Sequence, residues 1–244
     1  MSTLFISDLH LHESRPDITA TLISTLNKYR ETTTSLYILG DLFEVWLGDD
    51  DDNPLIQQIT NALCSWSKSG SKLFIQHGNR DFLIGQHFCN KVGAILLDEN
   101  TLIELNGQPT LLLHGDSLCT DDEDYQRFRR EIRNRHSITS LLSKSLEERQ
   151  NIANELRHMS QEANSNKAED IMDVNLQSVV QTMKKHSVLR LIHGHTHRPA
   201  HHLFKLNGND AERIVLGNWD QYGWLLRAES NLIELKKFPL LLSS

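Results

Sequence analysis

Five short apolar runs in this chain each end in a cluster of polar and turn-forming residues, and this arrangement constrains the fold more than any other feature. The runs are Leu4–Ile6, Leu36–Leu39, Leu73–Ile75, Leu111–Leu113 and Leu189–Ile192. Short apolar segments bounded by turn residues are typical of buried strands. Because ligands gather where strands end in layered α/β proteins, the five clusters predict one shared site at the ends of the strands.

Helical patterns separate the first three runs, and the alternation of strand and helix predicts a layered α/β domain. We expect Asp17 to cap one helix and Pro54 to open the next. Residues 121–185 contain no Gly and no Pro and have helical spacing throughout, after which short apolar strands return. The sequence therefore predicts a core formed by residues 1–120 and 186–244, with a helical lid inserted over residues 121–185 and a single domain overall.

Charge and cysteine usage exclude several classes of protein. The chain has 25 Lys and Arg against 32 Asp and Glu, a net charge of −7, which argues against a general nucleic-acid coat. Its three cysteines are far apart and form no disulfide framework or zinc motif, so a reducing compartment is expected. No apolar run approaches the length of a membrane span, and the first residues do not resemble a signal peptide. We expect a cytoplasmic protein.

The polar clusters contain the side chains of a metal site. They are Asp8-Leu9-His10, Gly40-Asp41-Leu42-Phe43-Glu44, Gly78-Asn79-Arg80-Asp81, His114-Gly115-Asp116 and Gly194-His195-Thr196-His197. Carboxylate, amide and imidazole ligands without thiolate suit Mn²⁺, Fe²⁺ or Zn²⁺ better than Ca²⁺ or a structural zinc. A single carboxylate such as Asp41 can bridge two ions, and two ions can clamp both oxygens of a phosphoryl displacement. Any one cluster alone is more often a turn or a cap.

All five clusters in this order resemble the calcineurin-like metallophosphoesterase superfamily, whose fold is a two-sheet αββα sandwich. The resemblance implies two metal positions that share Asp41. The first would be formed by Asp8, His10, Asp41 and His197, and the second by Asp41, Asn79, His114 and His195.

Arg80 departs from that superfamily, which usually has a histidine at this position. Arginine stays charged, so it can bind phosphate bidentately but is a poor proton shuttle. An alkoxide leaving group needs a proton, whereas a phosphate leaving group, with a second pKa of about 6, does not. The substitution therefore predicts cleavage of a phosphoanhydride, with Asn79, Arg80 and His195 as catalytic residues. The alternative is that Arg80 is a surface residue beside a turn.

Longer strings resemble one branch of the superfamily over essentially the whole chain. They include Gly40–Asp50, His114–Asp122, Ser160–Asn164 with Lys167, and His193–Pro199. The branch is the pyrophosphatase family of lipid A biosynthesis that acts on UDP-2,3-diacylglucosamine. The resemblance implies two Mn²⁺ ions and water attack on the α-phosphate, giving UMP and 2,3-diacylglucosamine 1-phosphate. It also implies substrate contacts by Asn79, Arg80, Asp122, Ser160, Asn164, Lys167 and His195.

The predicted insertion also carries a basic segment and an apolar set. Arginines crowd residues 127–135, opposed only by Glu131, and they can rest on anionic lipid headgroups or simply be solvated. The apolar set can line a slot for acyl chains or pack on itself. The arginines are Arg127, Arg129, Arg130, Arg133 and Arg135, and the apolar residues are Leu141, Leu142, Leu146, Ile152, Leu156 and Met159. We expect peripheral association with the cytoplasmic face of the inner membrane, no nucleic-acid partner and no obligate protein partner.

Two other functions compete with this interpretation. One is a phosphodiesterase or nuclease that acts on another nucleotide or on nucleic acid with the same metal core. The negative net charge and the lack of an aromatic and basic stripe count against it. The other is a catalytically dead scaffold, against which the complete ligand set argues.

Overall fold

Two β-sheets pack face to face in the computed structural model, which describes residues 2–165, 173–230 and 232–241, without the side chains of residues 160–165. The first sheet has six strands in the order β11-β10-β1-β2-β3-β4, and the second has five in the order β5-β6-β7-β9-β8. The strands of the first sheet are β1 (Ser2–Ile6), β2 (Thr33–Leu39), β3 (Lys72–Gln76), β4 (Ala94–Leu96), β10 (Tyr222–Glu229) and β11 (Leu232–Pro239). Those of the second are β5 (Thr101–Leu105), β6 (Gln108–Leu112), β7 (Arg190–His193), β8 (Ala200–Leu206) and β9 (Asn209–Val215).

Parallel pairing in the centre of each sheet brings the predicted clusters to the same edge. Strands β1 to β4 pair in parallel in the first sheet, and β6, β7 and β9 pair in parallel in the second. Antiparallel strands complete the sheets at β10 and β11 and at β5 and β8. The carboxyl ends of β1, β2, β3, β6 and β7, which precede the five polar clusters, therefore open toward one region.

Alternating side chains divide the interior into layers. Leu36 and Ile38 face the helices that cover the first sheet, whereas Tyr37 and Leu39 pack against the second sheet. The covering helices are α1 (Pro16–Tyr29), α2 (Pro54–Lys68) and α3 (Gln86–Val92). A strand buried on both faces reads as a continuous apolar run, which explains the sequence pattern. With a helix on the outer face of the second sheet, the order of layers is αββα, as predicted.

That outer helix is α7 (Leu176–Lys185), the last helix of the predicted insertion. Its Val179 and Met183 are buried against Leu111 and Leu191 of the second sheet. The preceding helices are α4 (Glu123–Ile132), α5 (Arg135–Leu142) and α6 (Leu146–Ser165), and neither α4 nor α5 has a buried residue. The division into a core and an insertion over residues 121–185 stays a prediction. Within residues 121–185, helix α7 packs on the second sheet as its outer layer.

The two expected helix starts have different outcomes. Helix α2 begins at Pro54, as predicted, and the side chain of Asn53 accepts a hydrogen bond from the Ile56 N–H at 3.0 Å. The prediction that Asp17 caps the first helix is wrong, because α1 begins one residue earlier, at Pro16. Asp17 lies in the first turn and accepts hydrogen bonds from the Arg15 guanidinium at 3.0 and 2.8 Å. Within the described ranges, no helix is long and apolar enough to cross a bilayer.

Candidate metal centre

Five of the seven predicted metal ligands have a strained backbone conformation. Left-handed φ angles occur at Asp8 (55°), His10 (49°), Asp41 (52°), His195 (70°) and His197 (56°). Such conformations cost about 1–3 kcal/mol each in non-glycine residues and persist only where the surrounding structure enforces them. Their concentration on one set of loops marks a functional site.

Backbone hydrogen bonds hold the loops against one another. The His10 N–H donates to the Asp41 carbonyl at 3.0 Å, and the Gly194 N–H donates to the His114 carbonyl at 2.7 Å. The loops approach so closely that a Cβ at Gly194 would lie 2.2 Å from Oδ2 of Asp8. Glycine is therefore required at this position in order for the loops of β1 and β7 to meet.

Ligand atoms from four loops converge in two overlapping groups. Asp8, His10 and His197 present atoms within 4.8 Å of one another, and so do Asp8, Asp41 and His114. In the first group, Nε2 of His197 lies 3.6 Å from Oδ1 of Asp8 and 3.2 Å from Nε2 of His10. Asp8 belongs to both groups, so they form one continuous centre.

One oxygen of Asp41 lies between the two groups. Its Oδ2 is 3.8 Å from Nε2 of His10 and 3.6 Å from Nε2 of His114. Oδ1 of Asn79 lies 3.0 Å from the same His114 nitrogen. Asp41 is therefore placed as a bridging carboxylate would be, with Asn79 beside the second position.

A hydrogen bond at Nδ1 of the His114 ring determines which nitrogen faces the centre. Nδ1 of His114 donates to the Leu39 carbonyl at 2.9 Å, which leaves the lone pair on Nε2 directed toward Asp41 and Asn79. Nδ1 of His10 lies 2.9 Å from Oε2 of Glu44, a close ion-pair contact that does not have hydrogen-bond geometry. Ligating histidines in proteins are commonly oriented through their second nitrogen in this manner.

His195 lies beside these groups. Its backbone N–H donates to both carboxylate oxygens of Asp8, at 3.1 and 3.0 Å, and its ring centroid is 5.1 Å from that of His114. The Tyr125 ring stacks on its other side, with centroids 6.2 Å apart. Burial and the neighbouring His114 lower the pKa of His195 to about 3, so its ring is neutral and able to act as a ligand at physiological pH.

The electrostatics of the centre favour a bound cation. Asp8 and Asp41 are almost fully buried, and burial raises the pKa of Asp41. Burial alone would lower the pKa of His10, but the Glu44 contact and the charges of Asp41 and Asp8 outweigh it and raise the pKa to about 9. A site with two buried carboxylates and several imidazoles is expected to bind a divalent cation in preference to protons.

A cavity of about 350 Å³ opens from the metal loops toward helices α4, α5 and α6. Asn79 and Arg80 line it near the centre, and the rest of its wall is largely apolar. The apolar lining residues are Val45, Trp46, Leu47, Phe82, Leu83, Phe128, Ile132, Leu141, Ile152, Ala153, Leu156 and Met159. The cavity wall is therefore mainly apolar, with charged side chains from the loops and from α4 and α6 among the apolar ones.

Arg80 is held by its backbone and leaves its side chain available. Its N–H donates to Oδ1 of Asp41 at 2.8 Å, while its buried Nε has no hydrogen-bond partner among the described residues. An unpartnered buried guanidinium nitrogen is costly, and an anionic ligand in the cavity would satisfy it.

The other predicted substrate contacts are described only in part. Asp122 lines the cavity and also caps α4, accepting a hydrogen bond from the Tyr125 N–H at 3.1 Å. Ser160 and Asn164 lie on α6 beyond its last described side chain, and Lys167 lies outside the described residues. Of the predicted acyl slot, Leu141, Ile152, Leu156 and Met159 line the cavity. Leu142 and Leu146 do not line it and are 42% and 36% exposed.

The basic segment over residues 127–135 divides into two sets. Arg129 and Arg133 point inward and donate to Oδ2 of the buried Asp116, each at 2.8 Å. Arg133 also donates to the Gly78 carbonyl at 2.8 Å and so connects α4 to the loop of Asn79. Arg127, Arg130 and Arg135 are exposed. Only this exposed set is available to a charged surface.

Sequence reasoning missed several residues that organise the site. Asp49, to which the sequence alone assigns no role, accepts hydrogen bonds from the N–H groups of Gly85 and Phe88 at 2.8 and 2.9 Å and so caps α3. Asp50 binds the buried Arg149 of α6. Glu44 belongs to the second polar cluster, but the sequence alone assigned it no role, although it lies three residues after Asp41.

The fold and the centre define a class of protein. An αββα sandwich with buried carboxylates and imidazoles converging at the strand ends is a metal-dependent hydrolase. The family model "Calcineurin-like phosphoesterase" matches residues 1–199, and the chain belongs to that family.

Curated relatives cover nearly the whole chain. It is 51% identical over 241 residues to a UDP-2,3-diacylglucosamine hydrolase of Marinobacter nauticus, covering 98% of this chain and 99% of that one. It is 48% identical to proteins of the same name from Cellvibrio japonicus and Pseudomonas paraeruginosa, covering 98% of this chain and 100% of each relative. The similarity therefore extends through the helices α4 to α6 and through both sheets.

Proposed function

We propose that this protein hydrolyses the diphosphate bond of UDP-2,3-diacylglucosamine and so acts in lipid A biosynthesis. The observation that carries the proposal is the cavity that begins at Asn79 and Arg80 and continues along an apolar wall under α4 to α6. A substrate with both a diphosphate and acyl chains would find charged and apolar side chains of matching chemistry along such a cavity. The names of the full-length relatives support the same substrate.

The bond that breaks joins the α-phosphorus to the oxygen that bridges the two phosphates. A water oxygen adds to the α-phosphorus and becomes part of UMP, while 2,3-diacylglucosamine 1-phosphate (lipid X) leaves with the bridging oxygen. The leaving phosphate needs no proton near neutral pH, because its second pKa is about 6. A leaving group that needs no proton suits an active site in which Arg80 occupies the place of a proton donor.

The residues of the centre have distinct roles in this reaction. We propose two Mn²⁺ ions, one held by Asp8, His10, Asp41 and His197 and the other by Asp41, Asn79, His114 and His195. When bound, they would supply the Lewis acidity that activates water and neutralises the phosphate oxygens. Arg80 binds the diphosphate through its guanidinium, and Asn79 and His195 orient the scissile phosphate.

The lid helices complete the substrate site in this proposal. Asp122 lies at the start of α4 where the cavity meets the metal loops. Ser160, Asn164 and Lys167 would supply a hydroxyl, an amide and an ammonium group from the end of α6 onward, which are the donors that a sugar diphosphate needs. The acyl chains would lie along Leu141, Ile152 and Leu156.

We also propose that the protein binds peripherally to the cytoplasmic face of the inner membrane, where an acylated substrate would be found. The exposed arginines Arg127, Arg130 and Arg135 lie on α4 and α5, which also carry the exposed apolar side chains of Phe128 and Leu142. Helix α6 adds exposed Leu146 and Met159. Basic and apolar side chains together are typical of a surface that rests on anionic lipid.

Hydrolysis in ¹⁸O-labelled water tests the reaction. UDP-2,3-diacylglucosamine and Mn²⁺ are incubated with the protein and the products are identified by mass spectrometry. We expect UMP that carries the label, and lipid X without it. Asp41→Ala is expected to be inactive, and Asp210→Ala, at a fully exposed carboxylate, serves as the matched control.

Each other outcome supports a different function. Label in the lipid product contradicts attack on the α-phosphate. Turnover of bis(p-nitrophenyl) phosphate without turnover of the lipid nucleotide favours the phosphodiesterase or nuclease. A folded protein that binds metal and hydrolyses neither substrate is a scaffold.

A further inference from the structure

Glu44 contacts two different parts of the molecule with its two carboxylate oxygens. Oε2 lies 2.9 Å from Nδ1 of His10, and Oε1 lies 3.2 Å from the guanidinium of Arg157 on α6. The Glu44 side chain is only 14% exposed. It thus lies between a metal ligand and a helix of the lid, and it is not itself one of the predicted ligands or substrate contacts.

The backbone holds Glu44 beside His10. Leu11 and Phe43 form an isolated parallel bridge, and the Glu44 N–H donates to the Leu11 carbonyl at 3.1 Å. Leu11 and Phe43 are buried, so packing fixes this register. The position of the carboxylate therefore does not depend on a flexible loop.

The contact with His10 determines which nitrogen of the ring faces the metal position. The charge of Glu44 beside Nδ1 favours a proton on that nitrogen, so Nε2 is the nitrogen available to a metal ion that displaces its proton. Nε2 is the nitrogen that lies near His197 and Asp41. Partners of this kind fix the orientation of ligating histidines and are worth about 10–100-fold in metal affinity or activity.

The contact with Arg157 connects the same carboxylate to the cavity. Arg157 lines the cavity together with Ile152 and Leu156, which precede it on α6. Its side chain is 40% exposed, so solvent screens the ion pair and a ligand can rearrange it at small cost. A ligand that displaced α6 would move Arg157 and so change its contact with Glu44.

We propose that Glu44 is a positioning residue: it orients His10 for the metal ion and, through Arg157, links the occupancy of the cavity under α6 to that metal position. The metal half of the proposal stands on the residues of this chain alone. The link rests on the proposed function, because the ligand that would fill the cavity is the acylated substrate.

Metal affinity tests the first half without any substrate. Mn²⁺ binding to the metal-free protein is titrated by electron paramagnetic resonance for the wild type, Glu44→Ala and Glu44→Gln. We expect about 10–100-fold weaker binding at one Mn²⁺ position in Glu44→Ala. Glu44→Gln is expected to recover part of this loss, because it keeps a polar oxygen beside Nδ1 of His10 while removing the charge.

A matched control separates this result from general destabilisation. Glu229→Ala removes a partly exposed glutamate that is paired with Arg227 on β10, and it should bind Mn²⁺ like the wild type. Thermal unfolding of the metal-free variants verifies folding. Binding by Glu44→Ala within twofold of the wild type at both positions overturns the positioning role.

A double-mutant cycle tests the link. The ratio of kcat/KM for the lipid nucleotide to kcat/KM for bis(p-nitrophenyl) phosphate is measured in Glu44→Ala, Arg157→Ala and the double variant. We expect Arg157→Ala to lower this ratio about tenfold and to have little further effect when Glu44 is already absent, since residues that act through one another are not additive. Effects that multiply overturn the link. A protein with no activity on the lipid nucleotide refutes the proposed function and, with it, the link, whereas the Mn²⁺ titration still decides the positioning role.

Discussion

Tyr125 donates a hydrogen bond from its Oη to Oδ2 of Asp116 at 2.8 Å, and the same oxygen also accepts from Arg129 and Arg133. The Asp116 side chain is 1% exposed. It follows His114 by two residues, so three side chains of α4 converge on the loop of a predicted ligand. Helix α4, which lines the cavity, is thus anchored to the loop that carries His114.

Asp116→Asn should destabilise the protein and loosen the second metal position. An amide keeps one acceptor but removes the charge that both arginines share, and breaking a buried ion pair costs about 3–5 kcal/mol. We expect about 2–4 kcal/mol, because Arg129 also pairs with Glu99 and Arg133 also bonds the Gly78 carbonyl. Urea unfolding of the metal-free protein measures the loss. Asp98→Asn, at an exposed carboxylate, is the control, and equal stability of the two variants would contradict the anchoring role.

Asp41→Ala should abolish turnover and reduce the bound metal more than replacement of any other predicted ligand. Its Oδ2 lies within 4 Å of a histidine in each group, so its loss affects both positions. Removing metal that contributes several kcal/mol to the transition state lowers the rate by about 10³-fold or more. Metal content is measured by plasma mass spectrometry for Asp41→Ala beside Asp8→Ala, His114→Ala and His195→Ala. A folded Asp41→Ala with near-normal activity refutes the two-metal mechanism.

The strands and the candidate ligands could be predicted from sequence because both are local. Each apolar run ends at the turn residues that carry the ligand, so one pattern identifies the strand and the side chain after it. The contacts between loops could not be predicted in this way. Glu44 meets His10 only because Leu11 and Phe43 pair across 32 residues of chain, and that pairing depends on the packing of two loops.

The arginines of α4 show the same limit. A run of like charges is usually solvated, and nothing in the local sequence distinguishes Arg129 and Arg133 from Arg127 and Arg130. Their partner, Asp116, lies on another loop, 13 and 17 residues away. Because the fold buries Asp116, the two arginines that bind it become part of the structure, whereas the other arginines stay exposed.

Membrane association should therefore depend on Arg127, Arg130 and Arg135 rather than on the inward-facing arginines. Each basic residue near an anionic surface contributes about 1 kcal/mol, so alanine at all three positions should weaken binding to anionic vesicles about 100-fold. Salt should also weaken binding, because the attraction is screened over about 8–10 Å. Sedimentation with phosphatidylglycerol vesicles measures the affinity. Replacement of Lys205, Lys236 and Lys237 on β8 and β11 removes the same charge elsewhere, and an equal loss there would contradict a specific surface.

The ion pair between Asp50 and Arg149 should make stability depend on pH. The Arg149 side chain bonds the Asp50 carboxylate and lowers its pKa below the ordinary value of 3.8. A carboxyl group with a depressed pKa in the folded state stabilises that state above its unfolded pKa, and this contribution is lost as the pH falls through the folded value. Asp50→Asn should thus lose about 1 kcal/mol at pH 7, a small figure because Asp50 is 59% exposed. The difference in Tm between the wild type and Asp50→Asn is measured from pH 7 to pH 3 and should shrink below about pH 4. A difference that stays constant would assign the effect to something other than the charge.

Arg80 offers the sharpest test of leaving-group chemistry. Its guanidinium lines the cavity beside Asn79, and its backbone N–H is bonded to Asp41. If Arg80 binds the diphosphate, Arg80→Ala should lower kcat/KM on the lipid nucleotide by about 10²–10³-fold, as expected for a lost charge-assisted contact that strengthens in the transition state.

Arg80→His restores the residue usual in the superfamily and supplies a group that can protonate an alkoxide. It should gain relative activity on a phosphodiester with a poor alkoxide leaving group while losing activity on the diphosphate. The ratio of the two kcat/KM values measures this preference without error from the active-enzyme concentration, and Arg80→Lys, which keeps the charge without the bidentate geometry, is the matched control. An unchanged ratio in Arg80→His would mean that Arg80 does not determine the leaving-group preference, so the phosphoanhydride specificity would have to come from the substrate contacts of the cavity.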